Sequence, residues 1–239
     1  MKVTYKEYRE KTPLGTLFNH SIMGYIASAL SPFTSIVCMR YNLRPNTITL
    51  MMIITGIVGG CVLMLPNPYL EIIASLIYVL WFTLDCSDGE VARFTKVFSK
   101  GGKYLDWCAH LITHSLFVFS MWVILLRWLP YNNILTTITS FIFIAAELIG
   151  RNRIAMDVLY GFIKNTPYNE EVNISLLYWV YWQIVYFPNI LLFVPSFLGI
   201  SILMGWTWFY WVYIGWALFY SVVMLRVFLM FIWRMYKSE

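Results

Sequence analysis

The sequence predicts an all-α polytopic membrane protein, a bundle of six transmembrane helices with an N-terminal helix at the membrane surface. Two observations concern composition: 60% of the 239 residues are hydrophobic and 12% are charged, whereas soluble domains have about 45–50% apolar and about 25% charged residues. The third is length, because several apolar runs approach or exceed the span of a membrane helix, about 20 residues. These runs fill most of the chain, so we expect one membrane domain over residues 1–239.

The first part of this domain, residues 1–45, is expected to form a cytoplasmic and interfacial segment. Residues 1–20 are polar and mixed in charge, and residues 21–39 are only moderately apolar because serines and Pro32 interrupt them. This pattern predicts a helix that lies along the bilayer, with a full crossing as the alternative. Pro45 then suits the first turn of the next helix.

Residues 46–233 contain six apolar runs, which predict six spanning helices. Turn sequences such as Pro66-Asn67-Pro68 separate them. The Trp- and Tyr-rich residues 174–187 predict either an interfacial approach helix or the start of a span. The second run becomes polar after Leu84 but is expected to stay helical. The predicted spans are residues 46–65, 69–93, 104–129, 134–150, 188–204 and 208–233.

The basic residues predict the orientation of these spans. If the N-terminus is cytoplasmic, sixteen of the seventeen Lys and Arg residues lie on the cytoplasmic side and Arg127 lies opposite. The positive-inside rule therefore favours six spans with both termini in the cytoplasm. The same distribution argues against nucleic acid as a partner, because the basic residues recur at the ends of apolar runs instead of forming one patch.

Acidic residues at the end of the second span are the first sign of a functional site. Asp85, Asp88, Gly89 and Ala92 are spaced i, i+3, i+4 and i+7, and Arg93 follows. On a helix this spacing places two carboxylates and two small residues on one face. Charged groups in segments that are apolar enough to lie in lipid are costly and usually functional.

The next span carries a matching face. Gly102, Asp106 and His110 are spaced i, i+4 and i+8, and a short connection should bring them opposite Asp85 and Asp88. Three ionised carboxylates would repel one another, and Mg²⁺ or Mn²⁺ would neutralise them, since hard cations prefer oxygen ligands. The pattern therefore predicts a metal-assisted phosphoryl-transfer site at the cytoplasmic end of the bundle. The structural alternative is an ion-paired helix hairpin without catalysis.

Other polar residues are weaker candidates. A zinc centre that includes Cys86 and Cys108 is disfavoured, because neither cysteine shares the acidic face of its helix. Glu147 and Arg151 have the i, i+4 spacing of a structural ion pair. A phosphorylated acceptor could also bind to basic residues after the fourth span. These residues are Arg151, Arg153 and Lys164.

The acidic pattern resembles the signature of the CDP-alcohol phosphotransferase family. The residues that match are Asp85-x-x-Asp88-Gly89-x-x-Ala92-Arg93, followed after eight residues by Gly102-x-x-x-Asp106. Pro45-Asn46-x-x-Thr49 also resembles this family of membrane enzymes of phospholipid synthesis. The resemblance implies a six-helix bundle, usually a homodimer, that transfers a phosphoryl-alcohol group from a CDP-linked donor to a hydroxyl and releases CMP.

The same resemblance assigns roles to the signature residues. It implies that Asp85, Asp88 and Asp106 bind the metal. By the same likeness Gly89, Ala92 and Arg93 lie against the CDP moiety, and Gly102 lets the two helices approach.

His110 departs from the signature, which has a fourth Asp at this position. An unperturbed imidazole has a pKa of about 6.5 and suits a general base near neutral pH. We therefore expect His110 to be catalytic, with metal ligation or loss of activity as alternatives. The donor could be CDP-diacylglycerol with a soluble alcohol acceptor, or a soluble CDP-alcohol with a lipid or glycan acceptor. Hydrolysis of the donor and a catalytically silent protein are the rival functions.

Overall fold

A computed structural model describes residues 5–11, 21–128, 132–159 and 175–237. Over these residues the chain is helical and contains no strand, so the predicted all-α class is confirmed. The helices are α1 (Tyr5–Lys11), α2 (Ile22–Arg40), α3 (Pro45–Leu63), α4 (Pro68–Thr95), α5 (Gly102–Trp128), α6 (Asn133–Leu159), α7 (Leu176–Val185), α8 (Phe187–Met204) and α9 (Trp208–Lys237).

Seven of the described helices are long and apolar enough to cross a membrane. Six of them, α3, α4, α5, α6, α8 and α9, coincide with the predicted spans. The seventh is α2, the helix predicted to lie along the bilayer. Its Met23 N–H donates to Asn189 Oδ1 in the first turn of α8 at 2.8 Å, and its Ser31 hydroxyl donates to Glu90 near the end of α4 at 2.8 Å. Length and composition allow seven spans, and the count of six stays a prediction.

One boundary differs from expectation, and one alternative left open by the sequence is decided. Helix α6 continues to Leu159 instead of ending at residue 150, because residues 151–159 contain no proline or glycine to stop it. Gly150 stays inside the helix, where an added Cβ would lie 2.9 Å from Met224 Sδ of α9. The Trp- and Tyr-rich segment forms α7, whose ten residues rise about 15 Å and are too short to span.

Helix α4 carries the acidic face, and its ends have identifiable causes. Asn67 caps the N-terminus by accepting from Tyr69 N–H at 3.0 Å, and Pro68 occupies the first turn. At the other end Lys96 has a left-handed backbone with φ 55°, which ends the helix. The polar part of α4, through Arg93, is helical as predicted.

Helix α3 packs against both α4 and α5. Its Gly56 and Gly60 form a small-xxx-small pair, and an added Cβ at Gly56 would collide with Thr113 of α5. Small residues at such positions allow membrane helices to approach closely. The approach of α3 sets the positions of the acidic faces on α4 and α5 relative to each other.

Candidate functional site

Two carboxylates and one imidazole converge where α4 and α5 carry their polar residues. Asp85, Asp106 and His110 each offer a ligand atom, and these atoms all lie within 4.8 Å of one another. His110 Nε2 is 3.1 Å from Asp85 Oδ1 and 3.5 Å from Asp106 Oδ1. We call these three residues the acidic group. The helical spacing thus brings together Asp85 and both predicted α5 residues.

Asp88 lies one turn beyond Asp85 but is not part of the acidic group. Its Oδ2 accepts a hydrogen bond from Thr49 Oγ1 of α3 at 2.6 Å. Asp88 and Asp85 both line the same cavity. Thr49 belongs to the second stretch that resembles the family, and the structure connects the two stretches through this bond. Metal ligation by all three aspartates stays a prediction.

The donor set of the acidic group suits a divalent cation. Within the described part of the chain, Asp106 Oδ1 is buried and accepts no hydrogen bond, which is costly for a carboxylate oxygen. Carboxylate oxygens suit Mg²⁺ and Mn²⁺, and an imidazole nitrogen suits Mn²⁺ better than Mg²⁺. The group contains neither Cys86 nor Cys108, whose thiols are free.

The acidic group lies at the wall of a cavity of about 650 Å³. One side is polar and contains the acidic group, Asp88 and three arginines. The other side is mostly apolar and aromatic and is built by α7, α8 and α9. The arginines are Arg93, Arg151 and Arg153, and the apolar side includes Tyr181, Trp182, Val185, Tyr186, Val223 and Val227. The cavity therefore offers acid, cation and apolar surface to one bound molecule or to two.

Only some of the residues expected near CDP line the cavity. Gly89 and Arg93 line the cavity, and an added Cβ at Gly89 would lie 3.0 Å from Arg93 Nη1. Ala92 is half-buried and is not among the lining residues. Gly102 begins α5, where an added Cβ would lie 3.0 Å from Ser99 Oγ and 3.5 Å from Asn46 Oδ1. The neighbours of Gly102 within 4 Å are therefore the connection between α4 and α5 and the start of α3.

Two of the three residues expected to bind a phosphorylated acceptor, Arg151 and Arg153, line the cavity. Lys164 lies outside the described residues. Because α6 continues beyond Gly150, both arginines are carried by a helix instead of the polar connection that the sequence predicted. A helix holds their backbone more firmly than a loop would.

Glu147 is the centre of a buried network beside the cavity, which we call the Glu147 cluster: His114, Glu147, Arg151 and Tyr220. Arg151 Nε donates to Glu147 Oε1 at 2.9 Å, so the predicted ion pair is confirmed. His114 Nδ1 lies 2.5 Å from the same oxygen. The Tyr220 hydroxyl of α9 donates to Glu147 Oε2. Sequence reasoning missed Tyr220, because no local pattern relates it to α6.

Glu90 is the centre of a second buried network, the Glu90 cluster, formed with Tyr8, Arg9, Ser31 and Ser35. Arg9 Nη1 donates to Glu90 Oε1 at 2.9 Å, and the two serine hydroxyls donate at 2.8 and 3.2 Å. Tyr8 donates at 3.3 Å. Burial raises the pKa of the Tyr8 phenol, which keeps the donor proton in place. The sequence gives no sign of this cluster.

A family model described as CDP-alcohol phosphatidyltransferase matches residues 42–194, more than half of the chain. A search of curated proteins gives no match. The match begins just before α3 and ends inside α8, and it includes the acidic group and Arg151. The chain belongs to the CDP-alcohol phosphatidyltransferase family, which confirms the resemblance seen in the sequence.

Proposed function

We propose that this family member transfers a phosphoryl-alcohol group from a CDP-linked donor to a hydroxyl acceptor and releases CMP, with Mg²⁺ or Mn²⁺ as cofactor. Membership supports the reaction class, since the family consists of transferases of substituted phosphate groups that act in lipid synthesis. One observation carries the proposal to this site: the ligand atoms of Asp85, Asp106 and His110 lie within 4.8 Å of one another in a cavity that also contains arginines.

Asp85 and Asp106 would hold the cation, and Asp88 stands one turn away in the same cavity. When bound, the cation supplies Lewis-acid polarisation of phosphoryl oxygens and neutralises the charge of the diphosphate. Thr49, by donating to Asp88, fixes the orientation of that carboxylate. The protein residues thereby hold their oxygens in place before substrate arrives.

The donor diphosphate would lie along the polar side of the cavity. Because Gly89 has no side chain, the Arg93 guanidinium can lie close to its backbone, and guanidinium groups bind phosphate oxygens through paired hydrogen bonds. Ala92 and Gly102 would act indirectly, through the shapes of α4 and of the turn before α5. This arrangement orients the diphosphate relative to the acidic group.

His110 would act as the general base. Its imidazole takes the proton of the acceptor hydroxyl, and the acceptor oxygen forms a bond to the phosphorus that carries the donor alcohol. The bond from that phosphorus to the oxygen bridging to CMP breaks, and CMP leaves with the bonding electrons. The neighbouring Asp85 carboxylate, 3.1 Å from Nε2, orients the ring and stabilises the imidazolium that forms.

The apolar side of the cavity supports a lipid as one of the two substrates. The lining of the cavity includes Tyr181, Trp182 and Val185 of α7 and Val223 and Val227 of α9. Acyl chains gain free energy from such surfaces, whereas a wholly soluble pair of substrates would not need them. Either CDP-diacylglycerol or a lipid acceptor would satisfy this feature.

The surroundings of the reaction follow from the charge distribution of the sequence. Since sixteen of the seventeen basic residues fall on one side of the predicted bundle, we propose that the site and both termini face the cytoplasm. A homodimer in the bilayer, as the family resemblance implies, is part of the same proposal.

Product analysis tests the reaction. Purified protein would be incubated with CDP-diacylglycerol or with soluble CDP-alcohols, each labelled in the transferred group, and with Mg²⁺ or Mn²⁺. A labelled phosphodiester that appears together with CMP supports the proposal. A labelled phosphomonoester would instead identify hydrolysis, and absence of CMP with every donor would identify a catalytically silent protein. Both results contradict the proposed transfer.

A further inference from the structure

The Arg151 side chain lines the cavity and is also bound to the buried carboxylate of Glu147. Its Nε donates to Glu147 Oε1 at 2.9 Å, and its Nη2 lies 2.9 Å from His114 Nδ1. Nη1 makes no hydrogen bond to any residue that the structure describes. The guanidinium therefore has donors left for a ligand in the cavity.

Glu147 is itself held from three sides. Besides Arg151, it meets His114 of α5 and accepts from Tyr220 of α9. Its side chain is 4% exposed and that of His114 1% exposed. The His114 ring is also stacked on Phe187 of α8, with ring centroids 3.9 Å apart. Residues of four helices thus restrict the carboxylate, and through it the rotamer of Arg151.

The Arg151 guanidinium lies in the same cavity as the acidic group, Asp85, Asp106 and His110. Its Nη2 lies 3.2 Å from Nε2 of His114, whose ring centroid is 5.4 Å from that of His110, so the guanidinium stands near the acidic group. A guanidinium with unused donors near carboxylates that suit a cation forms a two-sided site for a phosphate oxyanion.

We infer that Glu147 is a positioning residue: together with His114 and Tyr220 it holds Arg151 so that its free donors bind a phosphate group in the cavity. This inference rests on the proposed function for the identity of the substrate. The phosphate belongs either to the diphosphate of the CDP-linked donor or to a phosphorylated acceptor, and the chemistry of recognition is the same.

A double-mutant cycle distinguishes positioning from a merely structural role. The dissociation constants of CDP and of inorganic phosphate, each measured directly with Mn²⁺ present, would be determined for four proteins. These are the wild type, Glu147→Gln, Arg151→Ala and the double variant. If Glu147 acts through Arg151, Glu147→Gln weakens at least one ligand about tenfold but has less than a twofold effect once Arg151 is alanine.

The two ligands separate the two sources of phosphate. Weaker binding of CDP assigns Arg151 to the donor diphosphate, and weaker binding of inorganic phosphate alone assigns it to the acceptor. Unchanged binding of both in Glu147→Gln overturns the inference. An equal effect of Glu147→Gln with and without Arg151 also overturns it, because Glu147 would then act independently.

A further Arg151 variant controls for loss of stability. Arg151→Ala leaves a buried carboxylate without its cation and could fail to fold. Arg151→Lys keeps the charge but loses the planar fork, so it should weaken the same ligand with a smaller change in thermal midpoint. Unchanged binding in a folded Arg151→Lys protein contradicts the inference. Because binding is measured without turnover, a protein that binds as expected but releases no CMP would refute the proposed reaction alone.

Discussion

The two buried glutamates beside the cavity make similar bonds but belong to different parts of the molecule. Each pairs with an arginine at 2.9 Å and accepts from a tyrosine hydroxyl. Arg151, the partner of Glu147, lines the cavity, whereas Arg9, the partner of Glu90, is not among the lining residues.

The clusters also differ in their relation to the family. Every partner of Glu90 in its cluster precedes residue 42, where the family match begins, whereas His114, Glu147 and Arg151 lie inside the match. We interpret the Glu90 cluster as the anchor of α1 and α2 on α4, and the Glu147 cluster as support for a substrate-facing cation. On this interpretation the same chemical unit would serve attachment in one place and recognition in the other.

The largest effect is expected at the acidic group, which shares the cavity with both clusters. Asp85→Asn or Asp106→Asn should reduce CMP release by about a thousandfold or more, because each removes a charge that the cation needs. CMP release from a labelled donor is the measurement. Glu10→Gln, at an exposed position of α1, is the matched loss of a carboxylate and should change nothing. Full activity in either aspartate variant would refute the metal site.

His110→Ala should have the next largest effect. Loss of a general base reduces turnover by about 10²–10⁴-fold, while binding of CDP should stay within a few fold. His110→Asp, which restores the residue of the family signature, should recover part of the lost rate. Turnover equal to wild type in His110→Ala would show that His110 is not the base.

Two arginine variants test directly whether the Glu147 cluster and the Glu90 cluster have different roles. Arg151→Gln should raise the apparent KM for a substrate or lower its affinity about tenfold. Both changes leave a buried glutamate without its cation and should destabilise the fold by about 3–5 kcal/mol, but Arg9→Gln should leave kcat and KM of the folded protein near wild type. Thermal midpoints and kinetics of both proteins decide the matter. A kinetic defect in Arg9→Gln as large as that in Arg151→Gln would remove the distinction.

The smallest effect is expected from two tyrosines of α9. Tyr220 and Tyr210 are both buried and both bond to α6, through Glu147 and Thr136 respectively. Each Tyr→Phe change should cost about 1 kcal/mol of stability. Only Tyr220→Phe should weaken ligand binding, by about threefold, because only this hydroxyl supports Glu147. Equal binding by both variants would show that Tyr220 does not position Arg151.

Local periodicity explains how much of the site could be predicted from sequence. Asp106 and His110 are one turn apart on a helix, so their shared face follows from spacing. The α4 and α5 faces meet because both helices pack on α3, in addition to the short connection that joins them. The pairing of Asp88 with Thr49 required the packing of α3, which the sequence indicates only through its glycines.

What could not be predicted depends on contacts between distant segments. Tyr220 lies 73 residues from Glu147 and Arg9 lies 81 residues from Glu90, and no periodic pattern spans such distances. Helix α6 extends beyond the predicted end at residue 150, and its Gly150 lies in close contact with Met224 of α9. The residues that set the cavity wall opposite the acidic group were therefore hidden from sequence reasoning.

The most direct test of the central claim is binding of Mn²⁺ itself, followed by electron paramagnetic resonance as the ion is titrated into purified protein with CDP present. We expect the wild type and Glu10→Gln to bind Mn²⁺ with the same affinity, and Asp106→Asn to bind it at least about tenfold more weakly. Equal Mn²⁺ affinity in the wild type and Asp106→Asn would contradict the assignment of the acidic group as the metal centre.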